Sequence, residues 1–321
     1  MNSLASLLKV KRDDVPLMYT IYFAFFTSGM MSTLIGALLP FMKTEYNMSY
    51  LLSGAVISAH QIGNFCALLI AGYLPYLIGR KRSTITLSLG IVIGFSLMTL
   101  TSNPVLLLIA FAFTGIGRGT MSNITNVVMS EIAENKTASL NLLHASFAVG
   151  AFLAPFLAIL STSVFGVYWR ISAWVLVFFE SAVLFFLGRS SLSGKPKAKN
   201  KDGGTDFMKS GRFWLNTFIL FFYLCGEASV IGWLVTYFTD TGRLSPALAQ
   251  TTSSALWIFI LIGRLVCASL SVKVNKNLLL VVLGFLQIVF FVMMISVQHV
   301  VLIYISLFGF GLAMSGTYPT T

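Results

Sequence analysis

Ionisable side chains inside long apolar segments are the residues of this sequence that could do chemistry. Glu180 and Glu227 each lie within an apolar run, and Arg118 lies within another. A charged residue at the centre of a membrane helix costs about 2.5 to 3.5 kcal/mol on insertion scales, so it needs a compensating role. Because desolvation favours the neutral carboxyl, either glutamate could bind and release a proton. The structural alternative is a protonated Glu that bonds a neighbouring helix.

Small and polar side chains surround Arg118 on its predicted helix. Residues three or four positions apart share a helical face. The members of this face are Gly115, Arg118, Ser122 and Thr125. Asn123 and Asn126 lie alongside it. A guanidinium stays charged, so it needs an anionic partner, a substrate oxygen or water. We therefore expect Arg118, Asn123 and Asn126 to line a solute site, with structural pairing of the arginine as the alternative.

Two further apolar runs carry a histidine and an asparagine on one helical face. His144 lies one turn after Asn141, and His60 lies one turn before Asn64. Alanines continue both faces, and close helix packing alone explains small residues of this kind. Packing does not explain His and Asn at membrane depth, which favour a water-filled cavity. We expect these four residues to line such a cavity, and we do not expect a metal site.

Aromatic residues are too numerous for most of them to be functional. Within spans and near polar positions, Trp233 and Trp257 could stack on a sugar ring, whereas most aromatics belong to the core or to the interfacial belt. The sequence has no phosphate-binding loop, no metal-ligand cluster and no nucleophile triad spacing. We therefore predict a protein that is not an enzyme and needs no cofactor. Any energy source would be an ion gradient.

The composition predicts helices that cross a membrane. Of 321 residues, 57% are hydrophobic and 10% are charged, against about 25% charged in soluble proteins. The mean hydropathy is +0.87. A crossing helix needs about 20 apolar residues. Ten runs meet this length, at 17–41, 50–74, 84–101, 104–130, 139–163, 167–188, 213–238, 246–272, 277–297 and 299–317. We predict an all-α polytopic membrane protein, which excludes soluble and disordered classes.

The basic net charge of +11 reflects membrane topology. If the N-terminus is cytoplasmic, 16 of the 21 Lys and Arg side chains fall on the cytoplasmic side. Cytoplasmic loops of membrane proteins carry this excess of basic residues. We expect a plasma-membrane protein with its N-terminus inside and with lipid around it. A nucleic-acid partner is not expected.

A polar stretch divides the chain into two similar parts. Residues 189–212 are rich in Gly, Ser, Pro and Lys, which predicts a flexible cytoplasmic linker. The flanking parts, 1–188 and 213–321, are predicted to be two helical bundles with six and four spans.

The two bundles resemble each other at an offset near 196 residues. Phe25 corresponds to Phe221 and Gly36 to Gly232, while the pair Gly115 and Gly117 matches Gly309 and Gly311 with a two-residue slip. Related halves recur in transporters. A second half of four spans predicts that two helices are missing and that the chain is a fragment.

The turn after the second span resembles a signature of the major facilitator superfamily. The residues that match the gating loop of that family are Gly72, Gly79, Arg80, Lys81 and Arg82. Tyr76 stands where the family pattern has Asp. Near the cytoplasmic end of the eighth span, Arg264 is a further predicted gate residue. The resemblance implies two pseudo-symmetric bundles with a solute site between the halves and alternating access.

Three segments are similar to the fucose permease-like branch of that superfamily. They are residues 141–155, the segment from Gly226 to Trp233, and Tyr318-Pro319-Thr320. The resemblance implies a monomeric secondary transporter that moves a sugar together with a proton, with Glu227 in a substrate or proton role. An exporter or facilitator of another small organic solute is one alternative. A membrane sensor that binds but does not move its ligand is another.

Overall fold

Long helices dominate the computed structural model, which describes residues 3–164, 168–192, 209–270 and 275–320. A short helix, α1 (Ser3–Leu7), precedes a single 3-10 turn, Arg12–Asp14. Ten long helices follow: α2 (Val15–Glu45), α3 (Tyr50–Ile78), α4 (Arg80–Leu100), α5 (Pro104–Ile132), α6 (Lys136–Ile159), α7 (Trp169–Arg189), α8 (Gly211–Asp240), α9 (Pro246–Leu270), α10 (Lys276–Ser296) and α11 (Val300–Thr320). A π-helical turn, Leu160–Val164, extends α6.

The predicted all-α membrane fold is confirmed. Among the described residues, nine helices are long and apolar enough to cross a membrane, and a tenth apolar helix, Val300–Ser315, is shorter. The ten long helices follow the ten predicted apolar runs in order. Their bounds differ from those of the runs by up to four residues at either end. Residues 193–208 of the predicted linker lie outside the described residues.

Specific residues begin and end the helices. The Ser49 hydroxyl accepts a hydrogen bond from the Leu52 amide at 3.1 Å and caps α3. Asn103 caps α5 in the same way, with Pro104 as the first helical residue. Gly79 separates α3 from α4 with φ +87° and ψ 154°, a backbone conformation that essentially only glycine adopts.

Two compact units make up the chain, Met1–Lys197 and Ala198–Thr321. In the first unit α2 is the central helix, packed against α5, α6 and α7, while α5 also packs against α3 and α4. In the second unit α9 and α10 pack against α11, and α8 packs against α9.

Glycines let helix backbones approach each other in the first unit. A Cβ added to Gly29 on α2 would collide with the carbonyl oxygen of Phe147 on α6, and Gly115 on α5 meets the carbonyl oxygen of His60 on α3. Small residues at such positions are the usual basis of helix packing in membranes.

Substitution of Gly115 tests the closeness of this packing. We expect Gly115→Ala to lower the amount of folded protein and its melting temperature in detergent, since overpacking costs about 1 to 3 kcal/mol and the facing group is backbone that cannot rotate away. Gly188→Ala is the matched control, because nothing lies within 4 Å of a Cβ at Gly188. Equal melting temperatures for the two variants would contradict the packing.

The same helix contact occurs in the second unit at a constant offset. Gly115 faces His60 and Asn64 on α3, and Gly311 faces Leu256 and Ile260 on α9. The three residues of the second unit each follow their counterparts in the first unit by 196 positions. The contact therefore supports the internal repeat.

This alignment corrects the two-residue slip of the sequence comparison. From sequence alone, Gly115 could be aligned with either Gly309 or Gly311. The residues on the facing helix show that Gly311 is its counterpart. At the offset of 196, the counterpart of Arg118 is Met314. Met314 is buried, so the second unit places an apolar side chain where the first has a guanidinium.

Each unit also has a tyrosine that bonds the end of a neighbouring helix, although the residues involved do not correspond at the offset of 196. The Tyr46 hydroxyl donates to the carbonyl oxygen of Met98 at 2.9 Å, near the end of α4. The Tyr237 hydroxyl donates to the carbonyl oxygen of Ile295 at 3.0 Å, near the end of α10. In each unit a tyrosine thus satisfies a carbonyl that the helix end leaves without an intrahelical partner.

Candidate functional site

Polar side chains meet between α3 and α5, and His60, Asn64, Thr114 and Arg118 are called the α3–α5 seam below. His60 is 5% exposed, and its Nδ1 lies 2.9 Å from the Thr114 hydroxyl oxygen. The Thr114 hydroxyl donates its own hydrogen to the carbonyl of Phe111 at 2.7 Å. Its oxygen must therefore accept, which assigns a hydrogen to His60 Nδ1.

Arg118 extends the seam towards α2. Its Nη2 donates to the Ser32 hydroxyl on α2 at 3.2 Å, and its charge acts on His60. The side-chain oxygen of Asn64 packs closely against Gly119 of α5, since a Cβ added to Gly119 would lie only 2.6 Å from that oxygen. Three residues that the sequence predicted separately, His60, Asn64 and Arg118, are thus brought together by α3 and α5.

The two other asparagines of α5 lie further along the helix. Asn123 and Asn126 follow Arg118 by five and eight residues, or about 7.5 and 12 Å along the axis. Asn126 donates to the carbonyl of Ser122 at 2.7 Å, and Asn123 is half-buried. They lie beyond the seam on the side towards Ile132, where α5 ends.

His144 lies beside the same central helix. Its ring makes an edge contact with Phe25 of α2, at 5.4 Å between centroids, and the residue is exposed. Phe25 and Ser32 are seven residues apart, which places them on one stripe of α2, about 10.5 Å apart along the axis. One stripe of α2 therefore touches both His144 and Arg118. The side chain of Asn141 lies outside the described residues.

Glu180 of α7 lies on another side of α2. Its side chain is 0% exposed, and neither carboxyl oxygen has a hydrogen-bond partner within the described ranges. Thr27 of α2 is its neighbour on that side of the helix. Thr27 and Ser32 point about 140° apart on the helix, so Glu180 is separate from the α3–α5 seam.

The second unit holds the remaining predicted residues within the spans. Glu227 and Trp233 are half-buried on α8, and their separation of six residues places them on different faces. Trp257 on α9 is buried, with 5% exposure.

The predicted gating loop is held by contacts within the first unit. Arg80 makes two hydrogen bonds to the Glu131 carboxylate, at 2.5 and 3.1 Å. Lys81 Nζ donates to the carbonyl of Ser190 at 3.0 Å, and Arg82 is exposed. These bonds tie the start of α4 to the ends of α5 and α7.

The rest of the predicted loop contributes no such bond in the part of the chain that the structure describes. Gly72 lies within α3, and Tyr76 is 39% exposed. The side chain of Arg264 on α9 lies outside the described residues.

Sequence reasoning missed Glu131, the acid that pairs with Arg80. The signal available was an acidic side chain at the end of the fourth predicted span, the same end of the bundle as the basic turn. A bidentate arginine–carboxylate pair of this kind gives geometric specificity as well as energy.

A second missed cluster joins the opposite ends of α2, α4 and α7. Arg170 Nη1 pairs with Glu45 at 2.5 Å, and the Trp169 indole donates to the other Glu45 oxygen at 2.6 Å. Arg170 Nε also donates to the carbonyl of Thr99 at 3.0 Å. Burial raises the pKa of the Tyr46 phenol, while the Arg170 charge acts in the opposite direction. The cluster fastens three helix ends.

Long apolar helices in two related units, with polar and charged side chains inside the spans, define a membrane transport protein. Residues 21–321 match the Major Facilitator Superfamily, and the chain belongs to this family. The predicted membership is therefore confirmed, and the family is one of transporters rather than enzymes.

One curated relative and several solved structures are similar to the chain. The arabinose-proton symporter of Bacillus subtilis (strain 168) is 27% identical over 187 residues, which cover 56% of this chain and 40% of that protein. The match thus spans less than half of the relative's length.

Three solved structures share the fold. A nucleoside transporter has a TM-score of 0.74 and 13% identity, covering 95% of this chain and 81% of that one. A D-xylose-proton symporter has a TM-score of 0.72 and 14% identity, covering 96% and 82%. The fucose:proton symporter of E. coli has a TM-score of 0.64 and 18% identity, covering 96% and 83%.

Proposed function

We propose that the protein carries a sugar across the plasma membrane together with a proton, by alternating access. The observation that carries the proposal is the α3–α5 seam, where Arg118 and His60 meet inside the first unit of a Major Facilitator Superfamily chain. The curated relative that matches the chain is named as a sugar-proton symporter.

The chemistry of the seam suits a hydroxyl-rich solute. Sugar hydroxyls both donate and accept hydrogen bonds, and the seam presents a guanidinium that donates and an amide that does both. A hydroxyl-rich solute can also satisfy a guanidinium without carrying a charge of its own. We assign recognition of solute hydroxyls to Arg118 and Asn64, with Asn123, Asn126, Asn141 and His144 as further candidates.

Glu227 is our candidate for the proton-binding carboxyl of the second unit. It is a half-buried acid inside α8, and acids inside membrane spans commonly mark ion or substrate pathways. Trp233 and Trp257 are our candidates for stacking against the sugar ring. The monomer is the proposed unit of function.

Uptake by purified protein in liposomes tests the proposal. With an inside-negative potential and acid outside, we expect labelled arabinose, xylose or fucose to accumulate above its external concentration, and a protonophore to abolish the accumulation. A labelled nucleoside and a lipophilic cation belong in the same panel. Accumulation of one of these alone would make the protein a transporter of another solute, and binding without movement of any compound would make it a sensor.

The orientation of the chain has its own test, in a background where Cys66, Cys225 and Cys267 are changed to Ser. A cysteine at exposed Ser191, next to the end of α7, should be protected from an external impermeant thiol reagent in intact cells. A cysteine at exposed Ser102, between α4 and α5, should be labelled. The physical reason is the excess of basic residues on the side of Ser191. The reverse labelling pattern would overturn the orientation.

A further inference from the structure

The two ring nitrogens of His60 are made different from each other by Thr114. Nδ1 lies 2.9 Å from the Thr114 hydroxyl oxygen. That hydroxyl gives its own hydrogen to the carbonyl of Phe111 at 2.7 Å, so its oxygen accepts and Nδ1 carries a hydrogen. A neutral imidazole has one such hydrogen, which leaves Nε2 as a lone-pair acceptor. Thr114 thus sets which nitrogen of the ring can accept a hydrogen bond.

The surroundings of the ring favour its neutral form. α3 contains no Asp, Glu, Lys or Arg. α5, against which α3 packs, has Arg118 inside the span and Glu131 near its end, where Glu131 pairs with Arg80. The charged residues of α4 are the basic side chains 80–82 at its start. An imidazolium at the depth of His60 would therefore be a buried cation without an anion, which is a costly arrangement.

The Nε2 atom of His60 is left for a ligand. Within the residues that the structure describes, no hydrogen bond reaches Nε2. It is not one of the buried polar atoms that lack both a partner and contact with solvent, and the residue keeps 5% of its surface exposed. An acceptor that is held rigidly inside a span and still open on one side is available to a solute.

Arg118 supplies a donor one helical turn away. Thr114 and Arg118 are four residues apart on α5, so they share a face and lie about 6 Å apart along the axis. A guanidinium has five N–H donors and no acceptor, and one of those of Arg118 bonds Ser32 at 3.2 Å. The seam therefore combines a group that can only donate with one that can only accept. Hydroxyls match both, whereas a carboxylate or an ether oxygen can only accept.

We propose that His60 Nε2 accepts a hydrogen bond from a hydroxyl of the solute, and that Thr114 is the positioning residue that keeps Nε2 an acceptor. This inference rests on the proposed transport of a sugar and adds a specificity rule to it. The position next to Nε2 requires a free hydroxyl. A methyl ether or a carboxylate there would present a lone pair to a lone pair, and a buried group left unpaired in this way causes strong rejection.

Nitrogen-15 NMR of the purified protein in lipid, labelled in its three histidines, reads the tautomer without any solute. We expect His60 to carry a hydrogen on Nδ1 and none on Nε2 at neutral pH, with His60→Gln identifying its signals. Thr114→Val should lose this preference, because it removes the acceptor of the Nδ1 hydrogen, and Thr114→Ser should restore it. Thr120→Val is the matched control, since Thr120 is buried on the same helix and its hydroxyl bonds the carbonyl of Ile116.

Competition by methyl ethers of the transported sugar tests the contact with the solute. Each ether keeps an oxygen that accepts but has lost a hydrogen to donate. We expect one mono-O-methyl ether to compete about tenfold more weakly than the parent sugar for the wild-type protein, roughly the effect of one neutral hydrogen bond. The difference should shrink in Thr114→Val, where Nε2 can carry a hydrogen and donate to the ether oxygen. It should return in Thr114→Ser and remain in Thr120→Val.

Several results would overturn the proposal. A hydrogen on Nε2 of wild-type His60 would remove the acceptor, whatever the solute. If a sugar is carried but leaves the Nε2 signal unchanged, and the ethers compete equally with wild type and Thr114→Val, His60 is a structural residue and only this inference fails. If a nucleoside is carried in place of a sugar and shifts the Nε2 signal, the role of His60 stands while the proposed function fails. If no compound of the panel shifts that signal, His60 binds no solute hydroxyl.

Discussion

Replacing Arg118 with alanine is expected to lower sugar transport about 10- to 100-fold while the protein still reaches the membrane in normal amount. Hydrogen bonds to a charged group contribute about 1.5 to 3 kcal/mol, and each 1.4 kcal/mol is about tenfold. Arg118→Lys should recover part of the affinity at most, since an ammonium lacks the planar fork of a guanidinium. Initial uptake rates in liposomes, normalised to protein amount, provide the measurement.

Arg189→Ala is the matched control for this variant. Arg189 lies at the end of α7, where it is exposed and stacks on Phe185, so transport should stay close to wild type. If Arg118→Ala fails to accumulate in the membrane while Arg189→Ala accumulates normally, then Arg118 is a structural partner of Ser32. The solute role of the α3–α5 seam would be lost with that result.

Glu227→Gln is expected to abolish uphill accumulation but to keep exchange of sugar down its gradient. Glutamine mimics the protonated carboxyl and cannot release a proton, so the coupling step is blocked while the neutral form still cycles. One charge moved through 100 mV provides about 2.3 kcal/mol, which sustains a gradient of roughly 40-fold at 1.4 kcal/mol per decade. The accumulation ratio of the variant should therefore fall from this range to about one.

The control for this prediction is Glu134→Gln, an exposed acid after the end of α5 that should accumulate sugar as wild type does. Counterflow must be measured in parallel, because a variant that has simply unfolded loses both activities. Proton-dependent accumulation by Glu227→Gln would show that Glu227 is not the coupling group. Attention would then pass to Glu180.

Sequence alone predicts the spanning helices well, because the bilayer imposes one length and one polarity on them. The first apolar run, 17–41, lies within Val15–Glu45, and the run 104–130 lies within Pro104–Ile132. The polar residues of the α3–α5 seam were also predictable, since His60 and Arg118 are unusual at membrane depth. The spacing of His60 and Asn64 along α3 could also be calculated from the sequence.

Pairings between distant helices could not be predicted in the same way. The Arg80–Glu131 and Arg170–Glu45 ion pairs join residues 51 and 125 positions apart, and nothing local to either arginine names its partner. The correct alignment of the two halves likewise depends on contacts between helices that are distant in sequence. A Gly-x-Gly pattern is ambiguous by two residues until the facing helix shows that Gly115 corresponds to Gly311.

Proton movement on addition of sugar tests the central claim most directly. Purified protein is placed in lightly buffered liposomes with no imposed gradient, potassium and valinomycin clamp the membrane potential at zero, and external pH is recorded while a transported sugar is added outside. Proton-coupled uptake predicts that the external medium becomes more alkaline with each addition, and that neither a protonophore-treated sample nor Glu227→Gln responds. Entry of the labelled sugar at the same rate without any change of external pH would contradict proton coupling.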